Sequence, residues 1–236
     1  MKRFYKAAAV VDMTGAAHEQ GFFIALDGKE IKTPEKRPNL SPTKALAEAI
    51  CAEWNEQGDK IDPASMLMAK LQNTALDRVH TRRNDLIAEL VKYAGTDLLC
   101  YRAEFPEDLA QQQADLWQPL LDWVGQNHDI KLVVTTGILH VPQDSDELEK
   151  LDVFLGRLDS FHLAAFHNIT TLCGSVSIAL NVLGGNISAE QAWAAAELDE
   201  NYQTRQWGKD DEALFRQGNM KKELNAAIDF LTLLQR

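Results

Sequence analysis

Apolar residues in the first forty positions come in short runs separated by turn formers. Residues 4–11 are followed by Thr14-Gly15, residues 21–26 by Asp27-Gly28, and residues 30–33 by Pro34. Asp27-Gly28 between Phe22-Phe23-Ile24 and Ile31 predicts a hairpin, because a two-residue type I′ turn needs positive φ at both central positions and this pair tolerates it. The N-terminal part therefore reads as β.

Beyond it the spacing becomes helical. Ser41-Pro42 predicts a helix start, with a capping hydroxyl followed by a ring-fixed φ, and Leu46, Ala49, Ile50, Glu53 and Trp54 recur at helical intervals up to Gly58. A helix of about four turns is expected there. Residues 71–93 carry a stripe of Leu76, Val79, Leu86, Ile87, Leu90 and Val91 that stops near Gly95. Residues 97–102 fit a helix end or a strand equally. Pro106 opens a helical segment through Leu109, Leu116, Trp117, Leu120, Leu121, Trp123 and Val124, which Pro119 is expected to kink or divide. Residues 131–139 are β-branched and predict one strand.

The last hundred residues predict three or four helices. One starts at Ser145, and a second covers residues 160–183 and stops at Gly184-Gly185. Ser188 with Gln191 makes a capping box for a third, and residues 219–234 form a fourth. Residues 169–183 are apolar nearly all round and read as the central helix of a bundle. The fold class expected is α+β: a small β-rich N-terminal domain with one helix over residues 1–60, then a larger, mainly α-helical C-terminal domain over residues 61–236.

Composition narrows the functions available. The 236 residues include 24 Lys+Arg against 35 Asp+Glu, a formal net charge of −11, which disfavours nucleic acid unless the bases cluster. The densest basic stretch is Arg78, His80, Arg82 and Arg83, flanked by Asp77 and Asp85, and it reads as a solvated helix face. Cys51, Cys100 and Cys173 are odd in number, far apart and set among apolar neighbours, as buried free thiols are. No apolar run is long enough for membrane insertion.

The chemistry of catalytic sites is sparse. His162 and His167 are five apart, which separates them by about 140° on a helix, so no metal site is expected. Nothing matches a phosphate loop, and no cofactor is implied. Cys173-Gly174-Ser175 supports one alternative, a small hydrolase or transferase using Ser175 or Cys173 with His167, although the stretch lies inside the most apolar segment.

Residues 193–212 carry more. If residues 188–206 form one helix, Ala195, Leu198 and Tyr202 make a core stripe, while Trp193, Glu200 and Trp207 share an offset line seven apart. Glu200 is then either satisfied by donors from a neighbouring helix or exposed at the rim of an aromatic patch that meets another protein. Trp207-Gly208 breaks the helix, and Asp210, Asp211 and Glu212 follow, favourably placed at the start of the next.

Five stretches in order match one known family: RFYK at the start, ALDGKEIKTP at 25–34, ALAEAICAEWNEQGDKIDP at 45–63, KYAGTDLLCYRAEFPEDLAQQQADLWQPLLDW at 92–123 and ELDENYQTRQWGKDDEA at 197–213. The chain resembles the ATP-twelve type of ATP synthase assembly chaperone over essentially its whole length. That resemblance implies a two-part fold and a binding protein, not an enzyme, with no small-molecule substrate. The implied partner is the unassembled alpha subunit of the F-type ATP synthase catalytic head, whose beta-facing surface the chaperone covers. Matching positions are Glu200, Tyr202, Gln203, Trp207, Gly208 and Asp210 for partner binding, with Glu53 and Trp54 in the N-terminal part. Glu200 is the foremost functional candidate, and Trp54 is expected to pack the first helix on the β part. Mitochondrial relatives carry a targeting extension, whereas this chain begins at the family's first motif. The expected location is the bacterial cytoplasm, or the mitochondrial matrix for a mature eukaryotic form.

Overall fold

The structure, a computed structural model, describes residues 1–12, 21–208 and 211–235. It forms two compact units: Met1–Arg83 with Asp159–Ala165 and Ala226–Arg236, and Asn84–Leu158 with Phe166–Asn225. These bounds follow contacts between residues, so the first unit takes in more of the chain than the expected 1–60.

The first unit is built on an antiparallel sheet in which β2 (Phe22–Leu26) pairs β1 (Ala8–Asp12) along its whole length. On its other side β2 holds two short strands, β3 (Lys29–Glu30) and β4 (Leu40–Ser41). Asp27 and Gly28 close the hairpin with φ of 49° and 79°, the two positive values that a type I′ turn requires. The Asp27 carboxylate also accepts the backbone N–H groups of Lys6 and Ala7, each at 3.0 Å, tying the approach to β1 onto the turn.

Helix α1 (Lys44–Asn55) lies against this sheet and buries Leu46, Ala47, Ile50 and Cys51. Its cap is Thr43, whose Oγ1 accepts the Leu46 N–H at 3.2 Å. The expected cap, Ser41, is instead in β4, where its hydroxyl donates to Gln72 Oε1 at 2.6 Å. Helix α2 (Leu67–Asn73) runs into a π-helical turn, Thr74–Val79, before α3 (His80–Ala94). The expected periodic segment is thus helical but interrupted twice, by the widened turn and by a kink at Arg82, where φ is −127° and ψ 30°. Phe161 and Phe230 stack at 6.4 Å and complete the core of the first unit.

In the second unit, Leu98–Cys100 forms a 3₁₀ turn and β5 (Tyr101–Arg102) follows, so the ambiguous stretch is both helix end and strand. Helix α4 (Glu107–His128) passes unbroken through Pro119. Its first helical residue is Glu107, with Pro106 one step earlier as the cap. Of residues 131–139 only β6 (Thr135–Thr136) is a strand, paired in parallel with β5. Helices α5 (Ser145–Arg157), α6 (Ser160–Cys173), α7 (Val176–Leu183), α8 (Ala189–Ala196), α9 (Leu198–Trp207) and α10 (Asp211–Leu234) make up the rest, with the leading part of α6 and the end of α10 belonging to the first unit. Three or four helices were expected over this stretch.

The surplus comes from two interruptions. Gly174 adopts φ 64° and ends α6, and Ser175 then caps α7, its Oγ accepting the Ile178 N–H at 3.0 Å. A single apolar helix is thereby cut in two by a left-handed glycine and a new cap. Fully buried Asp97 holds this break: its carboxylate accepts the Ser175 hydroxyl at 2.8 Å, the Ser177 N–H at 2.9 Å and the Ser177 hydroxyl at 3.1 Å. The second interruption is at Glu197, where φ −102° and ψ 14° separate α8 from α9. The capping box forms as expected, with Ser188 Oγ accepting the Gln191 N–H and Gln191 Oε1 accepting the Ser188 N–H.

Backbone donors from Ala7 and Lys6 hold the Asp27 carboxyl below its ordinary value. A depressed folded-state pKa contributes stability that is fully present above the unfolded value and is lost as pH falls through the folded one. Urea titrations from pH 7 downward are therefore expected to show part of the acid-induced loss disappearing in Asp27→Asn. Identical pH slopes in the two proteins would remove this role from Asp27.

Candidate functional site

Three side-chain pairs fix α9 on the first half of α4. The Tyr202 hydroxyl donates to the Asp108 carboxylate at 2.9 and 3.0 Å, Gln113 Nε2 donates to Asp199 Oδ1 at 2.7 Å, and Arg205 donates to Gln112 Oε1 at 2.9 Å. Asp108 raises the Tyr202 phenol above its ordinary pKa, and Arg205 lies 5.7 Å from the ring centroid. Beside them, buried Trp117 donates its indole N–H to the Ala195 carbonyl at 2.9 Å. Leu198, Tyr202 and Ala195 are buried, as the expected core stripe requires.

The helical period then decides what faces outward. Residues 199, 202 and 205 point to α4, so residues 200, 203 and 207 lie roughly 100–160° round the helix from the middle of that face. Glu200 and Gln203 are exposed, and Trp207 is 80% exposed. The Glu200 side chain makes no hydrogen bond or ion pair among the described residues, so the reading in which donors from a neighbouring helix satisfy it does not hold. Trp193 is on α8, beyond the break at Glu197, and does not share a helical line with Glu200 and Trp207. Tyr202 is a positioning residue turned inward. Gly208 ends α9 with φ 88°, a left-handed value that favours glycine. Asp210 lies outside the described residues.

Sequence reasoning missed the start of α10. Gln217 Nε2 donates to Glu197 Oε2 at 2.7 Å, fastening this helix to the α8–α9 junction. Leu214 and Phe215 are exposed there, Phe215 at 73%. The signal available in the sequence was an adjacent apolar pair inside a charged stretch.

The N-terminal motif has a different character. Glu53 accepts the Met68 N–H at 2.7 Å and the Ala69 N–H at 2.9 Å, capping α2 from a neighbouring helix. Asn55 pairs with both backbone groups of Ala8, at 2.8 and 3.0 Å, acting as a substitute strand residue beside β1. Trp54 meets Tyr5 edge-on at 5.5 Å, and the Tyr5 hydroxyl donates to the Trp54 carbonyl at 2.6 Å. Trp54 thus packs α1 against the segment leading into β1.

The constellation for nucleophilic catalysis is not assembled. Ser175 is fully buried and its hydroxyl is engaged with Asp97 and the Ile178 N–H. Burial pushes the Cys173 thiol up to about 12, which leaves almost no thiolate near neutral pH. His167 instead sits 3.4 Å from Glu89, and His162 bonds Asp159 at 2.7 Å, so the two histidines have separate partners. The described residues hold no group of three or more metal-ligating side chains.

The chain belongs to the ATP12 chaperone family: the family described as ATP12 chaperone protein matches residues 2–125. It is 26% identical over 224 residues to the protein atp12, mitochondrial, of Schizosaccharomyces pombe, covering 90% of this chain and 75% of that one. The crystal structure of Atp12 from Paracoccus denitrificans superposes with a TM-score of 0.90 at 36% identity, covering 99% of this chain and 98% of that one. A protein of Agrobacterium tumefaciens described as a chaperone superposes with a TM-score of 0.92 at 36% identity over 99% and 86% of the two chains. Helices α8 to α10 lie beyond the stretch matched by the family and within the span of these structures.

All three cysteines are buried and unpaired. Native protein mixed with a thiol-reactive disulfide reagent is expected to react slowly at all three, with full reaction only in denaturant. A fast-reacting thiol assigned to Cys173 would restore the nucleophile reading.

Proposed function

We propose that this ATP12-family chaperone serves assembly of the F-type ATP synthase by holding the unassembled alpha subunit through the outward face of α9 and the start of α10. The observation that carries the reading is Trp207, a large aromatic left 80% exposed on the same helical face as Glu200, which has no partner among the described residues. Large exposed aromatics are the side chains that anchor protein interfaces, and an unengaged carboxylate beside one supplies selectivity for a basic counterpart. Gln203 adds an adaptable hydrogen-bonding group to that face, and Leu214 and Phe215 extend its apolar area.

A holding chaperone must cover an apolar surface that a later partner reclaims. A small number of anchors on one helix, set on a rigid support, suits that demand. The support is the α9–α4 clamp, so Tyr202 contributes by position while Glu200, Gln203 and Trp207 touch the client. Gly208, with its left-handed φ, ends α9 directly after Trp207. Such a protein needs no catalytic group, and it works where the alpha subunit is made or delivered: the bacterial cytoplasm, or the mitochondrial matrix for a mature eukaryotic form.

Purified chain mixed with isolated alpha subunit is expected to co-elute as a complex in size-exclusion chromatography, and added beta subunit to displace it. Glu200→Lys and Trp207→Ala should each weaken capture at least tenfold, about 1.4 kcal/mol, with unchanged helical circular dichroism. Undiminished capture by both variants would remove the α9 face from the reading, and absence of any complex with the native chain would remove the client.

A further inference from the structure

The first unit carries a groove of its own. An open groove of about 890 Å³ is walled by Pro34, Trp54, Ile61, Pro63, Met66 and Ala69, with Ala64 at its edge. That volume is at the upper end of what ligand sites occupy. Its far wall is the π-helical turn, which contributes Thr74, Asp77 and Arg78, and Lys70 and Arg82 also line it. Widened turns of this kind recur at binding sites because they push side chains out of helical register.

The electrostatics of the groove run against those of the chain. Overall the protein is at −11, yet the groove lining holds three cations, Lys70, Arg78 and Arg82, against two carboxylates, Glu35 and Asp77, and of the cations Lys70 and Arg82 have partners within the chain. Asp77 is engaged within the fold: it accepts the Thr33 hydroxyl at 2.6 Å and the Glu35 N–H at 3.1 Å, and Arg37 is 3.7 Å away. The Arg78 side chain is exposed and makes no ion pair or hydrogen bond among the described residues. Trp54 also lines the groove, and its Nε1 is buried without a hydrogen-bond partner among the described residues.

We propose that this groove docks an apolar peptide segment bearing a carboxylate, the apolar side chains lying on Pro34, Ile61 and Met66 and the carboxylate meeting Arg78. The proposal rests on the client reading above and makes the occupant a segment of that client, the alpha subunit. A bidentate guanidinium–carboxylate pair gives register, while Met66 and the prolines tolerate varied apolar shapes. The chaperone then grips at two places, the α9 face and the groove, so that each contact is individually weak and both are released in turn.

The test uses the full chain and overlapping fluorescent peptides tiling the alpha subunit, read by fluorescence anisotropy. Peptides combining apolar residues with Asp or Glu are expected to bind, and amidation of that acidic side chain to weaken binding at least tenfold. Arg78→Glu should abolish the preference for acidic peptides, and Ala64→Trp, which fills the edge of the groove, should lower binding of every peptide, both with native circular dichroism. Capture of whole alpha subunit by the native chain with no peptide bound, or with Arg78→Glu and Ala64→Trp equal to wild type, overturns the groove and leaves the proposed client standing. Peptide binding that ignores the acidic residue overturns the assignment to Arg78. A small molecule retained in the groove by native mass spectrometry, and competing with every peptide, overturns the peptide as occupant.

Discussion

The fastening of α9 onto α4 is the constraint on which the candidate binding face depends. Tyr202, Asp199 and Arg205 reach Asp108, Gln113 and Gln112, three contacts spaced three residues apart along one side of a ten-residue helix. A helix this short is marginal alone, and packing supplies what propensity does not. Once its inner side is committed, 3.6 residues per turn leave Glu200, Gln203 and Trp207 no direction but outward. The exposed indole is therefore a consequence of where the helix is clamped, and a rigid support lets a single aromatic act as an anchor without being ordered on binding.

The N-terminal motif of the family shows a contrasting economy. Within five residues, Glu53 caps α2, Trp54 packs on Tyr5, Asn55 completes the hydrogen bonding of β1, and Gln57 accepts the Asp62 N–H at 2.7 Å while donating to Ser65. Each side chain serves a different neighbouring element. Substitution there loosens several parts of the first unit together, and the groove beside Trp54 with it. Family signatures in the two regions thus have different physical origins: mutual support around α1, and a free surface on α9.

Much of the architecture was legible because it rests on local chemistry. Asp27-Gly28 could only be a turn, Ser188 with Gln191 could only open a helix, and Gly95 and Gly184-Gly185 stopped helices where expected. The misses share a cause in tertiary competition for polar groups. Ser41 looked like a cap until Gln72 claimed its hydroxyl. Gly174-Ser175 looked like the interior of one long helix until buried Asp97 made it a helix break. The two-residue strands β3 to β6 exist through pairing, which periodicity does not register. For the site, spacing identified Tyr202 as core, whereas the exposure of Glu200 depended on the clamp of α9 on α4, and no local signal marked the break at Glu197 that takes Trp193 off its line. The groove was hidden because its lining comes from four separate stretches: Met1, residues 34–35, Trp54 and residues 61–82.

The central claim is that the free face of α9 and the head of α10 close on the alpha subunit. Hydrogen–deuterium exchange of the chain with and without isolated alpha subunit measures this directly. The account predicts slowed exchange over residues 200–208 and 211–217, with the α4 and α7 core unchanged. Equal exchange there in free and bound protein, with a complex demonstrably formed, would contradict it.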